Sequence, residues 1–273
     1  MTKTRRDFID TDTGQFHVVA NDRTDSDKAT LVMVPQMSAL EQVRLMAALD
    51  DRPMIAIDPL GLGDSDPVPW DSPTIEHHAT ALLSALSELN IDRFDLYGSH
   101  FGARAAAEMA VVASDRVGHL VLDGAGHLEE PFRSELIEHY APPLPIDQHG
   151  SQLRWSWHFV RDSFLFWPHF SRDPAHARMV GIPSADALHD RTVQVLKNAH
   201  SFDKNLRAAF SYPTHEKLPR ITCQTLLSKR DAPCAALIPN AQQSDHEFYD
   251  SVLSTDDDVA AWAGSIRALL DNS

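Results

Sequence analysis

The sequence predicts an α/β fold, a mostly parallel central sheet with helices on both faces. Three observations predict it. The run Thr30–Val34 is apolar and β-branched, the pattern of a strand covered on both faces, Met54–Ile57 reads as a second buried strand, and Phe94–Tyr97 as a short one. Such runs alternate with segments of helical spacing, as parallel strands joined by crossover helices require. The run Phe94–Tyr97 also passes through Gly98-Ser99-His100-Phe101-Gly102 directly into an Ala-rich helical stretch, which calls for a sharp strand-to-helix turn.

Composition sets the outer bounds. The chain has 273 residues, 24 Lys and Arg against 39 Asp and Glu, and a net charge of −15. That length suits one large domain, or a domain carrying an insertion. The acidic balance argues against nucleic acid and anionic membranes as partners, because both select clustered Lys and Arg. Two cysteines, Cys223 and Cys234, no apolar leader behind Met1–Arg6 and no membrane-length apolar run give a reduced, cytoplasmic protein as the default expectation.

In chain order, Gln15–Ala20 reads as a first strand and 21–28 as a turn. Thr30–Val34 is stopped by Pro35, and a helical stretch follows. Met54–Ile57 ends in Asp58-Pro59-Leu60-Gly61-Leu62-Gly63-Asp64-Ser65, which lacks the third glycine of a dinucleotide-binding loop. Ser72-Pro73 reads as the cap and first residue of a helix whose core stripe is Ile75, Ala79, Leu82, Leu83, Leu86 and Leu89. His77 and His78 on that helix point about 100° apart, so they do not share a metal. The helix Ala103–Ala113 and the strand Val117–Asp123 come next. A strand over Thr225–Leu227 leads to Asp231, and Ala235–Ile238 reads as the last strand. The terminal helix buries Val259, Trp262, Ile266 and Leu269, with Asp256, Asp257 and Asp258 at its positive N-terminus.

These features resemble the α/β-hydrolase superfamily. The resemblance rests on Pro35-Gln36-Met37 after a strand, the Asp58–Ser65 loop, the turn at 98–102, the strand leading to Asp231, and the final helix. It implies a core over 1–128 and 214–273, with a helical cap inserted at 129–213.

The turn departs from the family pattern. In the family a serine stands between two glycines, because the strained bend crowds the positions two before and two after it. Here those glycines, Gly98 and Gly102, centre on His100, while centring on Ser99 would place Tyr97 and Phe101 in the crowded positions. His100 is therefore expected at the tip, and Ser99 beside it. The resemblance implies Asp231 as the acid, with Asp123 in reserve, and an oxyanion hole from the backbone N–H groups of Phe101 and Met37. For the family histidine, counting from the last strand gives Gln243, and counting back from the helix capped by Ser254 or Thr255 gives His246. Both stay open.

The insertion carries Trp155-Ser156-Trp157-His158-Phe159 and Phe164-Leu165-Phe166-Trp167. Trp155 and Trp167, with Gln36, Ser99 and Gln243, are the expected pocket residues, and the aromatics predict an apolar or aromatic small-molecule substrate. Fifteen histidines show no ligand spacing, so neither metal nor cofactor is expected. The leading expectation is a cofactor-independent enzyme that hydrolyses an ester or C–C bond of a small carbonyl compound, with His100 as base or nucleophile. The alternatives are a lyase or isomerase using His100 as acid–base, and a ligand-binding protein with a degenerate triad. The sequence leaves the oligomeric state open.

Overall fold

A computed structural model describes residues 3–23, 27–248 and 253–271. Its centre is an eight-stranded sheet in the order β1-β2-β4-β3-β5-β6-β7-β8. The strands are β1 (Thr4–Thr11), β2 (Gly14–Asn21), β3 (Thr30–Val34), β4 (Met54–Ile57), β5 (Phe94–Ser99), β6 (Val117–Asp123), β7 (Gln224–Leu227) and β8 (Ala241–Gln243). β1 pairs antiparallel with β2, and β2 with β4; every other neighbouring pair is parallel. All residues of β4 and β5 are buried, as expected of strands covered on both sides.

The helices are α1 (Val43–Ala48), α2 (Ile75–Glu88), α3 (Phe101–Val112), α4 (Phe132–His139), α5 (Ser151–Leu165), α6 (Ala185–Lys197), α7 (Phe202–Ser211), α8 (Thr214–Lys217), α9 (Ala232–Ala235) and α10 (Asp256–Leu270). One face of the sheet packs on α2 and α3 through Val32, Leu96, Leu82 and Ala106. The other packs on α1 and α10 through Met33, Tyr97, Met46 and Trp262. Helices α4 to α7 gather around a separate apolar cluster that includes Tyr140, Phe159, Phe202 and Phe210 and reaches Met37 on the sheet side. Its rings meet edge to face, Tyr140 against Phe159 at 5.6 Å and against Phe210 at 5.2 Å.

Three local expectations change. The strand β1 is not foreseen, because TRRDFIDT is exposed along most of its length and lacks an apolar run. Helix α2 starts two residues later than Ser72-Pro73 suggests: the Thr74 hydroxyl accepts from the His77 N–H at 3.3 Å, and the His77 ring accepts from the Thr74 N–H at 3.2 Å. The segment Ala235–Ile238 is no strand. Pro233 sits in the first turn of α9, and the eighth strand forms only after Pro239, at Ala241–Gln243. Of the predicted turn over 21–28, residues 24–26 lie outside the described residues.

Candidate active site

The parallel strands deliver their C-terminal loops to one edge of the sheet, and a cavity of about 560 Å³ lies there. Gln36 and Met37 line it from the loop after β3, His100, Phe101 and Arg104 from the β5–α3 turn, and Gly124 and Gly126 from the loop after β6. Arg230 and Asp231 enter after β7 and Glu247 after β8. The opposite wall comes from α5 to α7 and their connections, including Phe159, Phe164, Trp167, Arg178, Arg191, Phe202 and Phe210.

The tip of the β5–α3 turn is His100, held at φ 52 and ψ −106. Such a backbone is costly for a residue with a Cβ, and the surrounding packing enforces it. A Cβ on Gly98 would stand 2.3 Å from the Gly102 carbonyl oxygen, and one on Gly102 would stand 2.0 Å from that of Val34. The turn thus has room for a side chain at 100 and none two residues to either side. The His100 N–H donates to the Asp123 carbonyl at 2.8 Å, which ties the turn to the end of β6. Ser99 is buried beside the turn, within 3.5 Å of Gln42 Nε2, and does not line the cavity.

The His100 imidazole faces a guanidinium. Arg230 Nη1 lies 3.4 Å from its Nε2, and Arg230 in turn pairs with Glu247 at 3.2 Å. Burial, followed by the positive fields of Arg230, Arg191, Arg104 and Arg178, holds the His100 pKa well below its ordinary value. The ring is neutral at physiological pH, and its Nε2 carries the lone pair toward Arg230 when that guanidinium donates.

Asp231 lies in the cavity wall, with both carboxylate oxygens committed. They accept from Gly124 N–H at 2.6 Å, Gly126 N–H at 3.1 Å and Ser228 Oγ at 2.9 Å. These bonds fasten the loop after β6 to the loop after β7. Asp123 is fully buried beneath the turn; its Oδ2 receives the Tyr97 hydroxyl at 3.4 Å, and its Oδ1 has no hydrogen-bond partner among the described residues. Burial raises its pKa to about 7.

Neither candidate for the family histidine reaches the cavity. Gln243 is exposed at the end of β8 and donates to the Lys229 carbonyl at 3.0 Å. His246 is exposed too, while its neighbour Glu247 turns inward. Counting from a strand at Ala235–Ile238 misplaces Gln243, because that segment is no strand, and the count back from the terminal helix lands on an exposed His246. Trp155 stacks on Phe159 at 5.0 Å behind the wall, and Trp167 lines the cavity. Of the two expected oxyanion donors, the Phe101 N–H has no acceptor among the described residues. The Met37 N–H donates to Glu41 Oε2 at 3.3 Å, and Glu41 also pairs with Arg191 at 3.5 Å.

Sequence reasoning missed the five charged residues Arg104, Arg178, Arg191, Arg230 and Glu247. One signal was available: Arg104 interrupts a run of alanines in α3, all of them buried. His17, Asp58 and Asp64 also lie together, yet Asp58 accepts from His17, Ala39 and Asp64, and Lys197 pairs with Asp64, so the group anchors a loop.

A sequence model described as the alpha/beta hydrolase fold matches residues 32–167. The chain belongs to the α/β-hydrolase superfamily. Among curated relatives it resembles the 2-hydroxy-6-oxononadienedioate/2-hydroxy-6-oxononatrienedioate hydrolase of Paraburkholderia xenovorans (strain LB400), with 38% identity over 73 residues, 27% of this chain and 25% of that one. A hydrolase of the same description from Pseudomonas putida is 36% identical over 73 residues, 27% of this chain and 26% of its own. These matches span about a quarter of the curated relatives' length. Solved α/β-hydrolase-like folds align over nearly the whole chain. Cfl2 from Burkholderia cenocepacia superposes with a TM-score of 0.71 at 20% identity, over 98% of this chain and 96% of that one. An enol-lactonase from Burkholderia xenovorans LB400 superposes at 0.70 and 14% identity, over 97% and 100%.

Proposed function

We propose that this α/β-hydrolase-fold protein hydrolyses an ester or carbon–carbon bond of a small carbonyl compound, with His100 as the proton carrier. The observation that carries the reading is an imidazole at the tip of the strained turn, adjacent in the chain to a backbone N–H, that of Phe101, with no acceptor among the described residues. A carbonyl oxygen seated on that N–H at the positive end of α3 brings its carbon toward His100. His100 takes a proton from a water molecule as the water oxygen bonds to the carbon, and the carbonyl electron pair moves onto the oxygen facing Phe101. Collapse of this tetrahedral species breaks the bond to the leaving group, which receives the proton back from His100. Met37 adds a second donor once its N–H leaves Glu41.

The curated relatives, hydrolases of hydroxy-oxo compounds, and the structurally similar enol-lactonase support water as the second substrate. The aromatic side of the cavity, from Phe159 to Phe210, acts in this reading as a cap that excludes bulk water and favours an apolar or aromatic body.

A second reading draws on Asp231. Its oxygens are occupied by three donors, so no carboxylate backs His100 as in a hydrolytic triad. Proton transfer beside a carbonyl, without water, needs less of that support. Turnover of short-chain aryl esters separates the two. Hydrolysis predicts release of the phenol by the wild type and its loss in His100→Ala; solvent deuterium entering a ketone without cleavage favours proton transfer. Ester turnover untouched by His100→Ala overturns both. Fluorophosphonates are expected to leave Ser99 unlabelled, and stoichiometric labelling there removes His100 from the reactive position.

A further inference from the structure

The cavity is strongly cationic for a protein with a net charge of −15. Four arginines line it, Arg104, Arg178, Arg191 and Arg230, against the carboxylates of Asp231 and Glu247. Glu247 pairs with Arg230, Glu41 with Arg191, and Arg178 donates to the Ser163 carbonyl.

Arg104 differs from the others. It is only 8% exposed, and no carboxylate among the described residues comes within ion-pair distance of it. Its one hydrogen bond runs from Nη1 to the His100 carbonyl at 3.3 Å, although a guanidinium offers five donors. Nη2 lies beside the loop after β6, 3.1 Å from where a Cβ on Gly126 would stand. Asp231 is the acid whose field reaches Arg104, but both its oxygens already accept hydrogen bonds. A buried, unpaired charge is costly unless something neutralises it.

We propose that Arg104 is the seat of a carboxylate carried by the ligand, which makes this cavity selective for small organic acids over their neutral counterparts. This deepens the reading above and rests on the same cavity. The guanidinium fork matches a planar carboxylate, and its burial strengthens the pairing. Arg104, on the first turn of α3, reaches within 3.3 Å of the His100 carbonyl oxygen, and both residues line the one cavity. The carboxylate and the reacting carbonyl therefore belong to one small molecule and lie only a few bonds apart. The other three arginines add to the positive field that gathers such an anion from solution.

The test measures binding, so it stands apart from turnover. Isothermal titration calorimetry on the full chain compares 3-benzoylpropionate, an aryl ketone with a carboxylate, with its primary amide. The wild type is expected to bind the acid at least roughly tenfold more tightly than the amide, as a charge-assisted bond requires. R104Q is expected to bring the acid down to the affinity of the amide and leave the amide unchanged. R104K is expected to recover part of the difference. Equal affinities in the wild type, or an R104Q that weakens both ligands alike, overturn the proposal. If R104Q fails to fold, a crystal soaked with 3-benzoylpropionate decides: its carboxylate lies on Arg104, or it lies on Arg178 or Arg191 and the proposal fails. His100→Ala, which tests the reaction, is expected to retain the preference for the acid, so either idea can fail alone.

Discussion

Arg230 Nη1 stands 3.4 Å from His100 Nε2. In a serine hydrolase the residue at the tip of the turn meets an imidazole backed by a carboxylate. Here the tip is itself the imidazole, and a guanidinium meets it. The charge of Arg230 therefore acts to keep His100 unprotonated, the reverse of what a neighbouring carboxylate does.

The first prediction follows from that sign. The fold favours neutral His100, while the unfolded chain takes up a proton near 6.5. The contribution is complete above about 6.5 and is lost as pH falls toward the lowered folded value, because the unfolded state then binds more protons. Urea unfolding at pH 7.5 and pH 5 is expected to show a larger loss in the wild type than in His100→Gln. R230Q is expected to raise the imidazole pKa, followed by NMR, without restoring the ordinary value, since burial is the larger cause. Equal losses in the wild type and His100→Gln would mean that the ring protonates freely in the fold.

The glycines of the turn give the second prediction. Gly102→Ala places a methyl 2.0 Å from the Val34 carbonyl oxygen, a backbone atom that cannot step aside. A loss of more than about 3 kcal/mol, or failure to fold, is expected. Gly264 in α10 has nothing within 4 Å of its would-be Cβ, so Gly264→Ala is expected to stabilise by about 0.5–1 kcal/mol. Chemical denaturation of both variants measures the contrast, and similar effects at the two sites would refute it.

The contrast also marks what the sequence made legible. Crowding rules are local, so Gly98, Gly102 and the position of His100 could be read from five residues. The sheet core was legible because Thr30–Val34 and Met54–Ile57 carry apolar runs, and Phe94–Tyr97 is broken only by Asp95. The loops after β7 and β8 were not. Their geometry depends on Pro233 and Pro239 breaking an apolar run into a helical turn and a late strand, which moved Gln243 and His246 out of reach. The arginines escaped notice because four separate elements bring them together, and no spacing in the chain records that.

Asp231 supplies the third prediction. Its carboxylate holds two backbone N–H groups and a hydroxyl across two loops, so Asp231→Asn must turn an NH2 toward at least one of these donors. A loss of roughly 2–4 kcal/mol in unfolding free energy is expected, from one buried donor left unpaired and weaker bonds elsewhere. Hydrogen exchange at Gly124 and Gly126 is expected to rise with it. An Asp231→Asn protein with unchanged stability and protection would assign the carboxylate a purely chemical role.

Asp123 gives the last prediction, and its sign is opposite to that of His100. Burial raises its pKa to about 7, from an ordinary value of 3.8, so the fold favours the protonated acid. Between those values the folded state binds the extra proton, and stability falls as pH rises until the acid ionises near 7. At 1.36 kcal/mol per pKa unit, the difference of about 3 units bounds the effect at about 4 kcal/mol. Asp123→Asn keeps an oxygen for the Tyr97 hydroxyl and removes the charge. The variant is expected to match the wild type near pH 4 and to exceed it in unfolding free energy at pH 8. Together the two groups squeeze the wild type from both sides, since acid charges His100 and alkali charges Asp123. A stability profile of Asp123→Asn parallel to that of the wild type from pH 4 to pH 8 would show that this carboxyl ionises in the fold as it does in water.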